Sequence, residues 1–322
     1  MLNRRDLLLA SVAAGLTMQH RTAFAKAAQP ATKVDFDVPD HACDCHTHIH
    51  LPEKYPFFEG RGYTPEPASP EEMAALHKVL HIENVVIVTP SVYGTDNRAT
   101  LEGMKFRGNT ARGVAVIDDK TSEGDLDMMG KAGIKGIRVN LANNGISDPN
   151  IGRKRLEAAI DRVKGRGWHV QCYTNLSMLT TIKDVLASSP VPLVFDHFGG
   201  ADASLGLEQP GWAELVDGVK SGKVYVKISG AYRLSKNAPD YPDAAPFAKA
   251  LIAANPDRLV WGSDWPHPDS DPKPGRKPTD LAPLQQIDDG RVLNLLPVWA
   301  PDAATRKKIL VDNPAKLYGF SS

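Results

Sequence analysis

Between residues 42 and 267 the chain alternates short runs rich in Val and Ile with longer stretches in which apolar residues recur every three or four positions. The short runs read as strands: ACDCHTHIH (42–50), NVVIVTPS (84–91), ARGVAVI (111–117), IKGIRVNL (134–141), HVQCYTN (169–175), PLVFDHFGG (192–200), VYVKISGAYR (224–233) and RLVWGSDWPH (258–267). The stretches between them carry helix signals. SPEEMAALHKVLHIE opens with Ser69 as the cap, Pro70 at the first helical position and Glu72 three residues on, a capping box that satisfies the free N–H groups of a helix start. RKRLEAAIDRVKGRG sets Leu156, Ala159, Ile160 and Val163 on one face and closes on Gly165 and Gly167. MLTTIKDVLASS, GWAELVDGVKSG and APFAKALIAANP follow the same logic. Strands alternating with helices make an α/β fold with a parallel sheet. Periodicity alone allows either a closed barrel or an open, doubly wound sheet.

Two stretches break the pattern: residues 51–67, LPEKYPFFEGRGYTPEP, and residues 268–283, PDSDPKPGRKPTDLAP. Both are rich in Pro and Gly and follow strands, which makes them substrate-covering loops if the strands form a barrel. The N-terminus is different again. Arg4-Arg5, an apolar run from Leu7 to Thr17 and the small-residue step Ala23-Phe24-Ala25 follow the order of a twin-arginine export signal. That run is too short for a stable membrane span, so residues 1–27 read as a cleavable signal and the mature protein as periplasmic, free of the membrane. The remaining residues, 28–322, suit one large core.

Lys plus Arg and Asp plus Glu balance at 38 each, so no global field recruits nucleic acid or an anionic membrane, and the expected partner is a small molecule. Three cysteines make no disulfide scaffold. Cys43 and Cys45, two apart in the first strand, read as small buried thiols beside the candidate site.

The candidate chemistry clusters at strand ends. His46 and His48 are two apart, which puts both imidazoles on one strand face. Asp196-His197 closes the sixth run and Asp264 stands in the eighth, while Arg138 ends the fourth and Arg233 the seventh. Titratable groups at the carboxyl tips of apolar strands mark the chemical site of a barrel. The arginines suit a carboxylate, since each charge-assisted hydrogen bond contributes about 1.5–3 kcal/mol. Three imidazoles and a carboxylate can also complete a zinc site with an open position.

The DCHTHIH opening, the DHFGG and GSDWPH turns and the DNPAKLYGF tail resemble the amidohydrolase superfamily, and most of all its 2-pyrone-4,6-dicarboxylate hydrolase branch of lactonases. The resemblance implies a (β/α)8 TIM barrel, with His46 and His48 as its first-strand pair, His197 as its sixth-strand histidine and Asp264 as general base. Where metal-binding members carry a fifth-strand histidine this chain has Tyr173, and strand four offers Arg138 with no bridging lysine or glutamate. Both features are similar to the lactonase branch and imply chemistry without a metal cofactor. Tyr63, Ser91 and Tyr173 match positions that reach the substrate's carboxylate or ring. Asp269 stands where the pyrone hydrolases carry an asparagine near a substrate carboxylate, and an ionised group there would repel that anion unless it turns away.

The expected function is therefore opening of a carboxylated lactone by Asp264-activated water, with His46, His48 and His197 stabilising charge on the carbonyl oxygen. One alternative is a metal-dependent amidohydrolase or decarboxylase holding zinc or manganese at His46, His48, His197 and Asp264. Another is a periplasmic acid-binding protein without turnover, against which a complete His and Asp set argues.

Overall fold

The structure, a computed structural model, describes residues 27–142 and 148–321. Apart from Ala27, the export signal read from the sequence lies outside the described residues. No helix among the described residues is long and apolar enough to cross a membrane.

Eight parallel strands lie in chain order, each linked to the next by a segment with helical structure. They are β1 (Cys43–Thr47), β2 (Asn84–Val88), β3 (Ala111–Ala115), β4 (Ile134–Asn140), β5 (His169–Tyr173), β6 (Leu193–Phe195), β7 (Val224–Ser229) and β8 (Leu259–Gly262). The main crossover helices are α1 (Pro70–Leu80), α2 (Arg98–Arg107), α3 (Glu123–Lys131), α4 (Pro149–Val163), α5 (Leu179–Ser188), α6 (Trp212–Lys220) and α7 (Ala245–Ala254). Just past the last strand, the Asp264 N–H donates to the His46 carbonyl and the His48 N–H to the Trp265 carbonyl, both at 2.9 Å, so the first and last strands meet and the sheet curls into a barrel. The capping box of α1 forms as its sequence predicts: Ser69 Oγ accepts from the Glu72 N–H and the Glu72 carboxylate accepts from the Ser69 N–H.

The strands are shorter than their apolar runs suggest, because three of the tips turn instead of extending. His197 and Phe198 take φ of 47° and 55°, and Asp264 takes 67°, left-handed backbone in which no strand can continue. In β7 the strand ends at Ser229, and Gly230, also at positive φ, leads into a short helix, Ala231–Leu234. His197 and Asp264 thus sit on strained turns after the strands, a common place for functional strain.

Alternation sorts the strands into two faces. Val85 and Ile87 of β2 pack into the large core beneath the helices, with Leu76, Leu80 and Met104. Val86 and Val88 face the other way and join Cys43, Cys45, Val114, Val260, Tyr318 and Phe320 in the barrel interior. Tyr318 ends the C-terminal helix Asn313–Tyr318, which is anchored by Asn313 donating to the carbonyls of Pro256 and Leu259 at 2.8 and 2.7 Å. The two cysteines are free and buried, as expected, with their thiols in this layer and the Cys45 carbonyl accepting from Lys227 at 2.8 Å.

The two irregular loops find each other. Thr64–Pro65 and Leu281–Ala282 pair as short parallel strands, Thr64 Oγ1 donates to the Pro278 carbonyl at 2.7 Å, and Glu66 accepts the Leu284 N–H at 3.0 Å. Together they form one connected flap that carries Tyr63 to the strand C-termini.

His169, at the start of β5, is buried against the Tyr318 ring, and burial pushes its imidazole down to about 3, with Lys227 adding to the effect. Below its ordinary value of 6.5 the unfolded chain takes up a proton that the folded chain refuses until about 3, so this group's stabilisation is present at neutral pH and lost on acidification across that range. The urea midpoint is expected to fall between pH 7 and pH 5, and His169→Gln to flatten that fall; an unchanged pH slope in the variant would exclude the assignment.

Candidate functional site

A slip in strand register builds the first half of the site. The pairing of β1 with β2 is irregular between Asp44 and Thr47. Regular alternation would put Asp44 and His46 on the same face. With the irregularity, Asp44 points outward to His77 of α1 while His46 and His48 both turn into the barrel mouth, their Nε2 atoms 3.2 Å apart.

The strained turns bring the other half. Asp264 Oδ1 lies 3.6 Å from His46 Nε2 and 3.7 Å from the Nε2 of both His48 and His197. All four side chains are buried, and three imidazoles thus surround one carboxylate oxygen. The other oxygen, Oδ2, is tied down, accepting from Tyr232 Oη at 2.6 Å and Arg233 Nε at 2.5 Å. Oδ1 has no hydrogen-bond partner among the described residues.

A polar shell orients these groups. His48 Nδ1 donates to the Val88 carbonyl at 2.7 Å, and His197 Nδ1 shares a hydrogen with Ser229 Oγ at 2.9 Å. Asp196 collects Arg138 Nε and Gln171 Nε2, each at 3.0 Å, and lies 3.2 Å from His46 Nδ1. Lys227, fully buried on β7, reaches the Cys45 carbonyl at 2.8 Å, Gln171 Oε1 at 2.7 Å and His46 Nδ1 at 3.2 Å. Asp44 accepts from the backbone N–H groups of His46 and Ser263, from Ser263 Oγ and from His77 Nε2.

Sequence reasoning gave no role to Asp44, Gln171, Lys227, Ser229 or Tyr232. Gln171 and Lys227 left a signal: each is a strongly polar side chain flanked on both sides by Val, Ile or Cys inside a buried strand, HVQCY and VYVKIS. Asp44, Ser229 and Tyr232 left none, because their parts depend on the seam and on turns.

The electrostatics follow from burial. Burial opposes the charge on Asp264, yet Arg233 foremost, with the imidazoles, holds the carboxyl well below the usual carboxylate range. Burial pushes the imidazoles down: His197 to about 3, His46 with help from Lys227, and His48 further with help from His46. Near neutral pH the site therefore holds an ionised Asp264 among neutral histidines.

The substrate-side residues also converge. Arg138 lies over the Tyr173 ring at 5.2 Å, and Tyr173 meets His197 edge-on at 5.7 Å. Tyr63, hydrogen-bonded to Ser91, feels Arg233, Arg138 and Asp264, and burial pushes its hydroxyl up to about 12. Both arginines already hold a carboxylate of the protein. Asp269 is no free anion: Lys273 and Arg276 of its own loop pair with it and hold its carboxyl down against partial burial.

The cluster also has the dimensions of a metal site. A tetrahedral ion with bonds of about 2.0–2.2 Å sets its ligand atoms about 3.3–3.6 Å apart. His46 Nε2, His48 Nε2 and Asp264 Oδ1 are 3.2–3.7 Å apart, and the lone buried Oδ1 suits a cation. His197 Nε2, although 3.7 Å from Oδ1, does not close on all three of these atoms and groups instead with His46 and Asp196.

A β/α barrel whose strand tips gather three histidines about one aspartate oxygen has the architecture of an amidohydrolase-type site. The sequence pattern of the amidohydrolase family matches residues 43–320, and the chain belongs to that family. It is 33% identical over 297 residues to a 2-pyrone-4,6-dicarboxylate hydrolase of Comamonas testosteroni, covering 89% of this chain and 93% of the relative. It is 34% identical to a 4-sulfomuconolactone hydrolase of Rhizobium radiobacter, covering 89% and 92%. A solved Agrobacterium tumefaciens structure superposes with a TM-score of 0.76 at 29% identity, over 91% of this chain and 98% of the other.

Asp44 supplies a test of the site's frame. Arg107 donates to His77 Nδ1, so His77 presents an N–H to Asp44. In Asp44→Asn an amide N–H faces either that N–H or the donors on the other side, and a buried mismatch of this kind costs about 1–3 kcal/mol. The expected result is a lower urea midpoint together with reduced turnover; a midpoint equal to wild type would remove Asp44 from the frame.

Proposed function

We propose that the protein hydrolyses a carboxylated lactone at this site without a metal cofactor. The observation that carries the reading is the division of labour in Asp264, with Oδ2 fixed by Tyr232 and Arg233 and Oδ1 facing the imidazoles. Water attacks the ring carbonyl carbon and gives its proton to Oδ1. His46 and His197 hydrogen-bond the carbonyl oxygen as negative charge builds there. His48 spends its N–H on the Val88 carbonyl, and its bare Nε2 holds the His46 proton until the carbonyl oxygen takes its place. The ring C–O bond then breaks, and the departing oxygen takes the proton from Asp264. The products are a hydroxy acid, or its keto form when the departing oxygen is enolic, with no other reagent consumed.

Charge supports an anionic substrate. Arg138, Lys227 and Arg233 stand against Asp196 and Asp264, three cations to two carboxylates, so with neutral histidines the inner site keeps one positive charge. Arg138 and Arg233 flank the pocket and direct their remaining N–H groups to the substrate's carboxylate, while Tyr63, Ser91 and Tyr173 line its ring. The relatives act, by their names, on a pyrone dicarboxylate and a sulfomuconolactone, both anionic lactones. The Arg4-Arg5 leader supports a periplasmic place of action.

The spacing of the donors favours one second reading, in which His46, His48, His197 and Asp264 hold zinc or manganese. A bound ion would polarise the carbonyl and acidify water. The first reading is preferred because strand five offers Tyr173 and strand four Arg138 where further ligands would stand. Activity that disappears on chelation and returns with added zinc would reverse that preference.

Asp264→Asn is expected to keep its fold and bind substrate while losing about 10²–10⁴-fold in kcat; turnover like wild type would sink the mechanism. A panel of pyrone dicarboxylate, muconolactones and aldarolactones, followed by loss of the lactone and release of acid, identifies the ring opened.

Because Asp264 is held ionised and the imidazoles neutral, kcat/KM is expected to stay level from pH 8 down past the ordinary imidazole value of 6.5, falling only as the depressed groups take up protons. A loss of activity centred near pH 6.5 would contradict that charge state.

A further inference from the structure

Lys227 stands outside the reaction steps above, yet it is the only ammonium among the described residues in contact with the imidazole cluster. The hydrogen-bond roles around it can be assigned from groups with one possible role each. The Val88 carbonyl can only accept, so His48 carries its proton on Nδ1, and a neutral His48 then has a bare Nε2. That bare nitrogen is 3.2 Å from His46 Nε2, which must supply the proton between them. A neutral His46 protonated on Nε2 has a bare Nδ1, and Lys227 stands 3.2 Å away as its donor. Gln171 donates its Nε2 to Asp196 and so turns its carbonyl oxygen to Lys227. The ammonium's three protons thus meet three acceptors: Cys45 O, Gln171 Oε1 and His46 Nδ1.

The competing arrangement is also present. Asp196 Oδ1 lies 3.2 Å from His46 Nδ1 but makes no hydrogen bond of good geometry. If His46 carried its proton on Nδ1 toward Asp196, its Nε2 would be bare, and with His48 Nε2 and Asp264 Oδ1 it would complete a triad of metal ligands. An ammonium proton aimed at Nδ1 opposes that tautomer directly.

We propose that Lys227 is a positioning residue that fixes the proton of His46 on Nε2, keeping this imidazole a hydrogen-bond donor to the substrate and keeping the cluster from taking up a divalent metal. The inference rests on the metal-independent reading and names the residue that enforces it. One lysine on β7 then separates two chemistries available to the same histidines and aspartate.

The test uses the purified protein, Lys227→Met, which keeps the apolar stem without the donor, and Lys227→Arg, which restores a donor. Imidazole ¹⁵N shifts of the wild type, assigned by comparison with His46→Gln, are expected to show His46 protonated on Nε2. A proton on Nδ1 would overturn the proposal without any Lys227 variant having to fold. In zinc titrations Lys227→Met is expected to bind about 10–100-fold more tightly than wild type, with kcat reduced by a similar factor, KM little changed and partial recovery in Lys227→Arg. Equal zinc affinity in wild type and Lys227→Met, with a zinc-free and active wild type, refutes the role of Lys227 and leaves the proposed function intact. A wild type that is purified with one zinc per chain and loses activity on chelation refutes the metal-independent reading itself.

Discussion

The seam between the first and last strands is the constraint on which the site depends. Two backbone hydrogen bonds, from Asp264 to His46 and from His48 to Trp265, join the chain's beginning to its end. They also fix three of the four central residues relative to one another. Asp44 reinforces the joint from behind by accepting the N–H groups of both His46 and Ser263. A shift here would move the carboxylate and the imidazoles apart, and misplacement of about 1 Å at a catalytic centre can cost 10²-fold in rate. Closing the barrel and assembling the chemistry are therefore one event.

Inside that frame, the protein buries charges that would be costly singly and balances them in chains. Asp196 gathers Arg138 and lies near Lys227, and Asp264 holds Arg233. Among the described residues each carboxylate keeps one oxygen without a hydrogen-bond partner, and both of those oxygens face the histidine cluster. Buried ion pairs add little net stability once desolvation is counted, so this arrangement makes better sense as preorganised electrostatics for a reaction.

Much of this was legible in the sequence. The alternation of strand and helix and the α1 capping box follow from periodicity and cap chemistry, and the convergence of His46, His48, His197 and Asp264 from strand-end position once the family resemblance implies a barrel. Other features were not readable, for physical reasons. The register slip near Asp44 is a property of strand pairing, not of β1 alone. The turns at His197 and Asp264 hide inside runs that look extended, since neither residue declares a left-handed backbone as glycine does. Asp269 looked like an obstacle to an anionic substrate because its neutralising partners, Lys273 and Arg276, lie in a loop without periodicity.

The barrel floor has a consequence for how the molecule comes into being. Tyr318 and Phe320 complete the packing around Cys43 and Cys45, residues nearly three hundred positions upstream. During synthesis the first strand emerges with its inward face uncovered and stays so until Tyr318 and Phe320 arrive. A nascent chain of this design carries an unfinished interior until then, and its maturation is governed by whatever shields that exposed surface in the meantime.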